Sequence, residues 1–131
     1  MSDMKPTGIE IELGGKQIAL LFNINAIENF QDKFNIPIEQ LADVLKDKRA
    51  VYKNLKYMLM VLINEGIDNK NDDVEDPAQK EKHVDENWVG RKLVPANLPR
   101  LQTAILNAFT AGVPISEDGD DPNPESEQQK S

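Results

Sequence analysis

His83 is the one histidine of the chain, set in the charged run "KEKHVDE". A histidine does acid–base or metal chemistry only with a nucleophile, an orienting carboxylate or further ligands converging on it. A lone histidine in a charged loop is almost always a surface residue, so His83 is expected on the surface. The acidic stretch "DGDDPNPE", residues 118–125, resembles a calcium loop only in its charge. It lacks the ligand spacing and mid-loop glycine of such a loop and reads as a solvated tail. Glu10 and Glu12 form a carboxylate pair, but they alternate with Ile9, Ile11 and Leu13. That places them on the outer face of a strand, where solvation accounts for them better than proton transfer. Gly14-Gly15 is followed by a strand pattern rather than a helix, so it makes no phosphate cradle. There is no cysteine, hence no thiolate ligand, disulfide or thiol nucleophile. No Gly-x-Ser-x-Gly elbow occurs. These residues predict a non-catalytic protein with no metal and no cofactor.

The elements around them are easier to read. In "GIEIELGGKQIALLF", Ile9, Ile11 and Leu13 alternate with acids, and Ile18, Leu20 and Phe22 alternate with Gln17, Ala19 and Leu21. A two-residue Gly14-Gly15 turn sets Ile11 opposite Ile18, Ile9 opposite Leu20 and Glu12 opposite Gln17. The apolar residues of both strands then share one face, and a slip of one residue would scatter them. A β-hairpin over residues 8–22 follows.

Helical spacing takes over after it. Asn25, with Glu28 three residues on, predicts the N-cap of a helix over 25–34 with Ile27, Phe30 and Phe34 inward. Pro37 opens a helix over 38–46 carrying Ile38, Leu41 and Leu45. A long helix over 50–65 buries Val51, Leu55, Met58, Leu59 and Leu62 and is expected to stop before Gly66. Residues 66–84 are too polar to offset their ordering entropy and predict an acidic, partly disordered loop. Shorter helices are expected over 85–92, burying Trp88 and Leu93, and over 97–112, burying Leu98, Leu101, Ile105, Ala108 and Phe109. Residues 1–7 are expected to be flexible, and 114–131 a disordered acidic tail. The fold class is therefore α+β: an N-terminal hairpin on a small bundle of four to five helices, in a single domain spanning 8–113.

Charge placement narrows the partners. The chain has 131 residues and a net charge of −8. Residues 68–86 hold eight acids against three lysines, and residues 114–131 hold six acids against one lysine. The remainder is close to neutral, which disfavours nucleic acid as a ligand. The basic run Lys46, Lys48, Arg49, Lys53 and Lys56 is interrupted by Asp47 and reads as a solvated helix start. The opening "MSDMKPTG" lacks the apolar core of a secretory signal, and the longest apolar run, "YMLMVLI" at 57–63, is too short to span a bilayer. No membrane partner and a cytoplasmic location are expected.

Surfaces remain. A two-stranded hairpin is marginal alone and offers two edges of unpaired backbone groups, an opening for self-association. On the long helix, Tyr57 and Met60 fall opposite the Leu55, Leu59 and Leu62 stripe. They are either the second buried side of a central helix or an exposed apolar patch for a partner. Leu21, on the outward face of the second strand, is a third candidate partner contact.

The order of these elements, with "IEIELGGKQIALLFNINAIENFQDKFNI", "YMLMVLINEG", "VDENWVGRKL" and "LPRLQTAILNAFTAGV", resembles the tail assembly chaperones of long-tailed bacteriophages and prophages of Gram-positive bacteria. That family shows a Gly-Gly-Lys hairpin and a Leu-x-Phe-Asn/Asp-x-Asn-Ala segment, matched here by Leu20-Leu21-Phe22-Asn23-Ile24-Asn25-Ala26. The resemblance spans about residues 8–113. It implies a non-enzymatic protein of the bacterial host cytoplasm that binds the tape measure protein and helps recruit tail tube subunits. It also implies absence from the finished virion, and a longer frameshifted product in many members. A structural tail or connector protein retained in the particle, and a regulatory adaptor unrelated to phage, stay open. An acidic mimic of DNA fits poorly, because the acids fall in segments expected to be disordered.

Overall fold

Two glycines in the left-handed region start the fold. Gly14 (φ 63°) and Gly15 (φ 82°) join β1 (Ile9–Leu13) to β2 (Lys16–Leu20), as a tight hairpin turn requires. The antiparallel register pairs Ile9 with Leu20, Ile11 with Ile18 and Glu12 with Gln17, as the alternation predicts. Ile11, Leu13 and Leu20 are buried, whereas Glu10, Glu12, Gln17 and Ala19 are exposed. The computed structural model describes residues 9–112. The flexible N-terminus expected over 1–7 and the acidic tail expected over 114–131 lie outside the described residues.

The hairpin is followed by α1 (Ile24–Phe34), a 3-10 turn (Ile38–Gln40) and α2 (Leu41–Val44), then α3 (Val51–Asn71), α4 (Glu86–Lys92) and α5 (Leu98–Gly112). The predicted N-cap of α1 is corrected from Asn25 to Asn23. Asn23 is extended (φ −132°, ψ −172°), and its side-chain oxygen accepts from the Ala26 N–H at 3.0 Å. Asn23 and Asn25 each donate a side-chain N–H to Glu65 of α3, at 2.9 and 3.2 Å, which ties the start of α1 to the central helix. Asn35, left-handed at φ 55°, ends α1.

The second helix is shorter than the predicted 38–46 and begins as a 3-10 turn. The carbonyls at its end are satisfied from neighbouring helices: Val44 accepts from the Asn54 side chain at 3.2 Å, and Leu45 from Gln102 at 3.1 Å. Leu41 and Leu45 are buried as expected.

The long helix does not stop at Gly66 but runs to Asn71. A Cβ at Gly66 would lie 2.9 Å from the Ala19 carbonyl oxygen of β2. In this antiparallel pair the backbone groups of Ala19 and Leu21 point away from β1. They meet α3 one helical turn apart: the Leu21 N–H donates to the Leu62 carbonyl at 3.1 Å, and the Ala19 carbonyl rests against Gly66. One turn of helix rises about 5.4 Å and two strand residues about 6.7 Å, so the two repeats nearly match. Glycine here is a close-approach residue, and α3 covers the free edge of β2.

The expected loop over 66–84 is corrected as well. Its first six residues are helix, and the return segment is pinned to α3 by two asparagines. Asn64 donates to the Val84 carbonyl at 2.9 Å and accepts from its N–H at 2.8 Å. Asn71 does the same to Glu81 at 2.8 and 2.9 Å. Each amide side chain thus substitutes for one rung of a strand ladder, which a count of apolar residues does not see.

The core lies between the hairpin face and α3, closed by α1, α4 and α5. Leu20, Leu55, Leu59, Leu62, Leu101 and Ile105 are all fully buried. Phe22, at the exit of the hairpin, packs edge-on to Phe109 of α5 with ring centres 5.1 Å apart, and at 5.9 Å from Phe30 of α1. In α4 the deep residue is Val89 rather than Trp88 or Leu93, both of which are half-buried. Leu98 and Phe109 of α5 are likewise only half-buried, while Ala104 joins the core.

Candidate interaction groove

The three residues proposed from sequence as partner contacts are not brought together on an open face. Leu21 is only 3% exposed, because the backbone hydrogen bond to Leu62 draws this residue under α3. Its assignment as a partner contact is withdrawn. Tyr57 is half-buried between α1 and α3, with its ring centre 6.1 Å from Phe30 and 5.8 Å from Phe34. Lys33 stands 5.0 Å over the same ring, and the hydroxyl donates to the Asn29 carbonyl at 3.4 Å. Met60 is half-buried against the core. With Val61 and Ile63 also buried, α3 is covered on two sides, the first of the alternatives its sequence allows. The phenol of Tyr57 is pushed above its ordinary value of 10.0, first by burial and then by the nearby carboxylates of Glu86 and Asp32.

His83 lies against Asp68, 2.7 Å from its carboxylate, with both side chains at least half exposed. Lys70 pairs with Glu81 at 3.5 Å beside it. These contacts continue the line of Asn64 and Asn71 along one face of α3 and hold the return segment. Among the described residues no group of three histidines or carboxylates is placed to hold a metal ion, and no helix is long and apolar enough to cross a membrane.

The apolar opening lies elsewhere, on the opposite half of α3. A groove of about 500 Å³ runs between the first turns of α3, α4 and the start of α5. Leu55 and Leu101 form its floor and Leu93 and Leu98 its wall, with Tyr52 and Val94 at the mouth. Tyr52 and Val94 are 53% and 52% exposed, large apolar surfaces left facing water. Lys56 and Arg91 stand at the rim where α4 crosses α3. That crossing is tight: a Cβ on Gly90 would come within 3.0 Å of the Lys56 side chain, so the bare glycine leaves room for the lysine stem to lie across α4. Ion pairs found among the described residues involve Lys46, Lys70 and His83; neither Lys56 nor Arg91 forms one.

No family model, no curated protein and no solved structure matches this chain. The groove therefore stands on its own geometry. Sequence reasoning missed it because its residues come from three separate segments and because Lys56 reads as part of a solvated helix start. One signal was present. "LVP", residues 93–95, is an apolar run in a connection between helices, where no buried stripe requires it.

A second depression of about 390 Å³ lies between β2, α3 and the return segment. Lys16, Lys70 and Lys82 line it together with Ile18, Ile67 and Trp88. It is more polar than the groove, and Lys70 there is already engaged by Glu81.

Proposed function

We propose that this protein is a non-catalytic tail assembly chaperone that binds the tape measure protein during phage tail morphogenesis, with the tail tube protein as a further partner. The observation that carries the reading is the hairpin-to-helix segment from Ile9 to Phe34, with its Leu20-Leu21-Phe22-Asn23-Ile24-Asn25-Ala26 run. It resembles the Gly-Gly-Lys hairpin and Leu-x-Phe-Asn/Asp-x-Asn-Ala pattern of that family. The groove supports it physically. A chaperone of a long, aggregation-prone partner needs exposed apolar surface on a well-charged body, since exposed patches of this kind mark interaction sites. A net charge of −8 keeps such a complex soluble. The two asparagines of the motif also have structural roles here, Asn23 as cap and Asn25 on Glu65. Co-expression tests the proposal. The tape measure protein of the same gene cluster should move from the pellet to the soluble fraction and copurify with this chain. If it stays insoluble and unbound at equal expression, the assignment fails.

A further inference from the structure

We propose that the groove between α3, α4 and the start of α5 receives a helical segment of the partner whose apolar stripe is flanked on one side by carboxylates. The inference rests on the chaperone reading for the partner's identity, but its chemistry comes from the groove. A volume of about 500 Å³ lies inside the roughly 300–1,000 Å³ of sites that enclose a small ligand or a few side chains. Tyr52 and Val94 at its mouth are the kind of aromatic and aliphatic surface that anchors an interface.

The walls decide the form of the occupant. Most are side chains of α3, α4 and α5, whose backbone groups are paired within those helices, and only Leu93 and Val94, between α4 and α5, have extended backbone. An extended peptide would find only the two-residue run Leu93–Val94 to pair with and would leave most of its backbone polar groups against apolar side chains. A helix brings its hydrogen bonds with it and inserts residues one turn apart.

The rim decides the charge. Lys56 and Arg91 both line the groove, and the Lys56 stem lies against Gly90, the neighbour of Arg91 on α4. Neither has an ion-pair partner among the described residues, although the chain carries 23 acids against 15 lysines and arginines. Two cations with no ion-pair partner among the described residues, beside an apolar groove, complement carboxylates on the occupant. They would repel a basic segment, so they also set its orientation.

The experiment captures overlapping fragments of the tape measure protein from the same gene cluster on the immobilised full chain. The expected winners contain a helix with apolar residues at i and i+3 or i+4 and acids on one flank. Lys56→Glu/Arg91→Glu should weaken capture by about tenfold or more, and changing the flanking acids of the winning fragment to lysine should restore it to this variant. Tyr52→Ser/Val94→Ser should also lose capture while melting with the wild type, because both side chains are largely exposed. If wild type captures fragments but both double variants capture them equally well, the groove is not the site and the chaperone reading survives. If the winners are basic, the proposed chemistry is overturned in the same way. If wild type captures nothing, the reading of function falls and this inference falls with it.

Discussion

At the residue scale, two side-chain identities can be tested against their stated causes. Glycine inside a helix ordinarily costs about 0.5–1 kcal/mol relative to alanine, so Gly66→Ala should stabilise α3 if only the helix mattered. The Ala19 carbonyl at 2.9 Å from the added methyl reverses that sign. Backbone oxygen cannot swing aside as a lysine tip can, and overpacking of this kind costs about 1–3 kcal/mol. A net loss of about 1–2 kcal/mol in urea unfolding is expected; a gain would mean that the edge of β2 does not touch α3 there. Tyr57 gives a pH signature. Its phenol is raised above 10.0 by burial and by Glu86 and Asp32, so the unfolded chain releases this proton at lower pH than the folded one. The stabilisation it gives is therefore whole below pH 10 and is lost as the pH climbs through the raised value. Tyr57→Phe should flatten the alkaline fall of the melting temperature, and an unchanged slope would show that the ring is not held as described.

At the element scale, the return segment from Lys80 to Val84 is the test of what orders a polar stretch. Asn64 and Asn71 each hold both the N–H and the C=O of one residue there. Asn71→Ala should raise amide exchange at Glu81 while leaving Val84 protected, and Asn64→Ala should do the reverse. Equal exchange at both sites in both variants would refute the paired pins. This segment also shows why parts of the fold were legible and parts were not. The hairpin register could be read because a period of two, a Gly-Gly turn and a single apolar face all point to one pairing. The end of α3 could not, because Gly66 looks like a stop from sequence and is a contact in space. The order in 72–84 could not, because amide–backbone pairs leave no hydrophobic period. Tyr57 and Met60 were placed on the correct side of α3, but helical angle alone does not say that α1 covers that side. The groove needed residues 52–56, 87–91 and 93–101 to be assembled before it existed.

At the scale of the whole molecule, the elements are joined by one chain of rings. Phe109 of α5 meets Phe22 at the hairpin exit, Phe22 meets Phe30, and Phe30 meets Phe34 and Tyr57. All four phenylalanines of the sequence are in it. Phe22 is the link, since among these rings it meets both α1 and α5, and it is 4% exposed. The consequence is cooperativity: the hairpin and the bundle should unfold together, although their sequence patterns differ. Trp88, the single tryptophan, sits on α4 and away from those rings, under Lys92 at 5.5 Å. Its fluorescence therefore reports on α4 and its surroundings, whereas far-ultraviolet circular dichroism reports on all helices. The two transitions should coincide in urea, the mark of a two-state domain. Phe22→Ala should shift both together by about 3–5 kcal/mol, the usual cost of emptying a buried phenylalanine site. That loss is a large part of the roughly 5–15 kcal/mol available to a domain of ordinary stability, so the variant should be partly unfolded at 37 °C. If instead the dichroism moved while the Trp88 transition stayed in place, α4 and the groove it lines would form a separate unit. The cations at the groove rim would then be held by α3 and α4 alone, independent of the hairpin that carries the family resemblance.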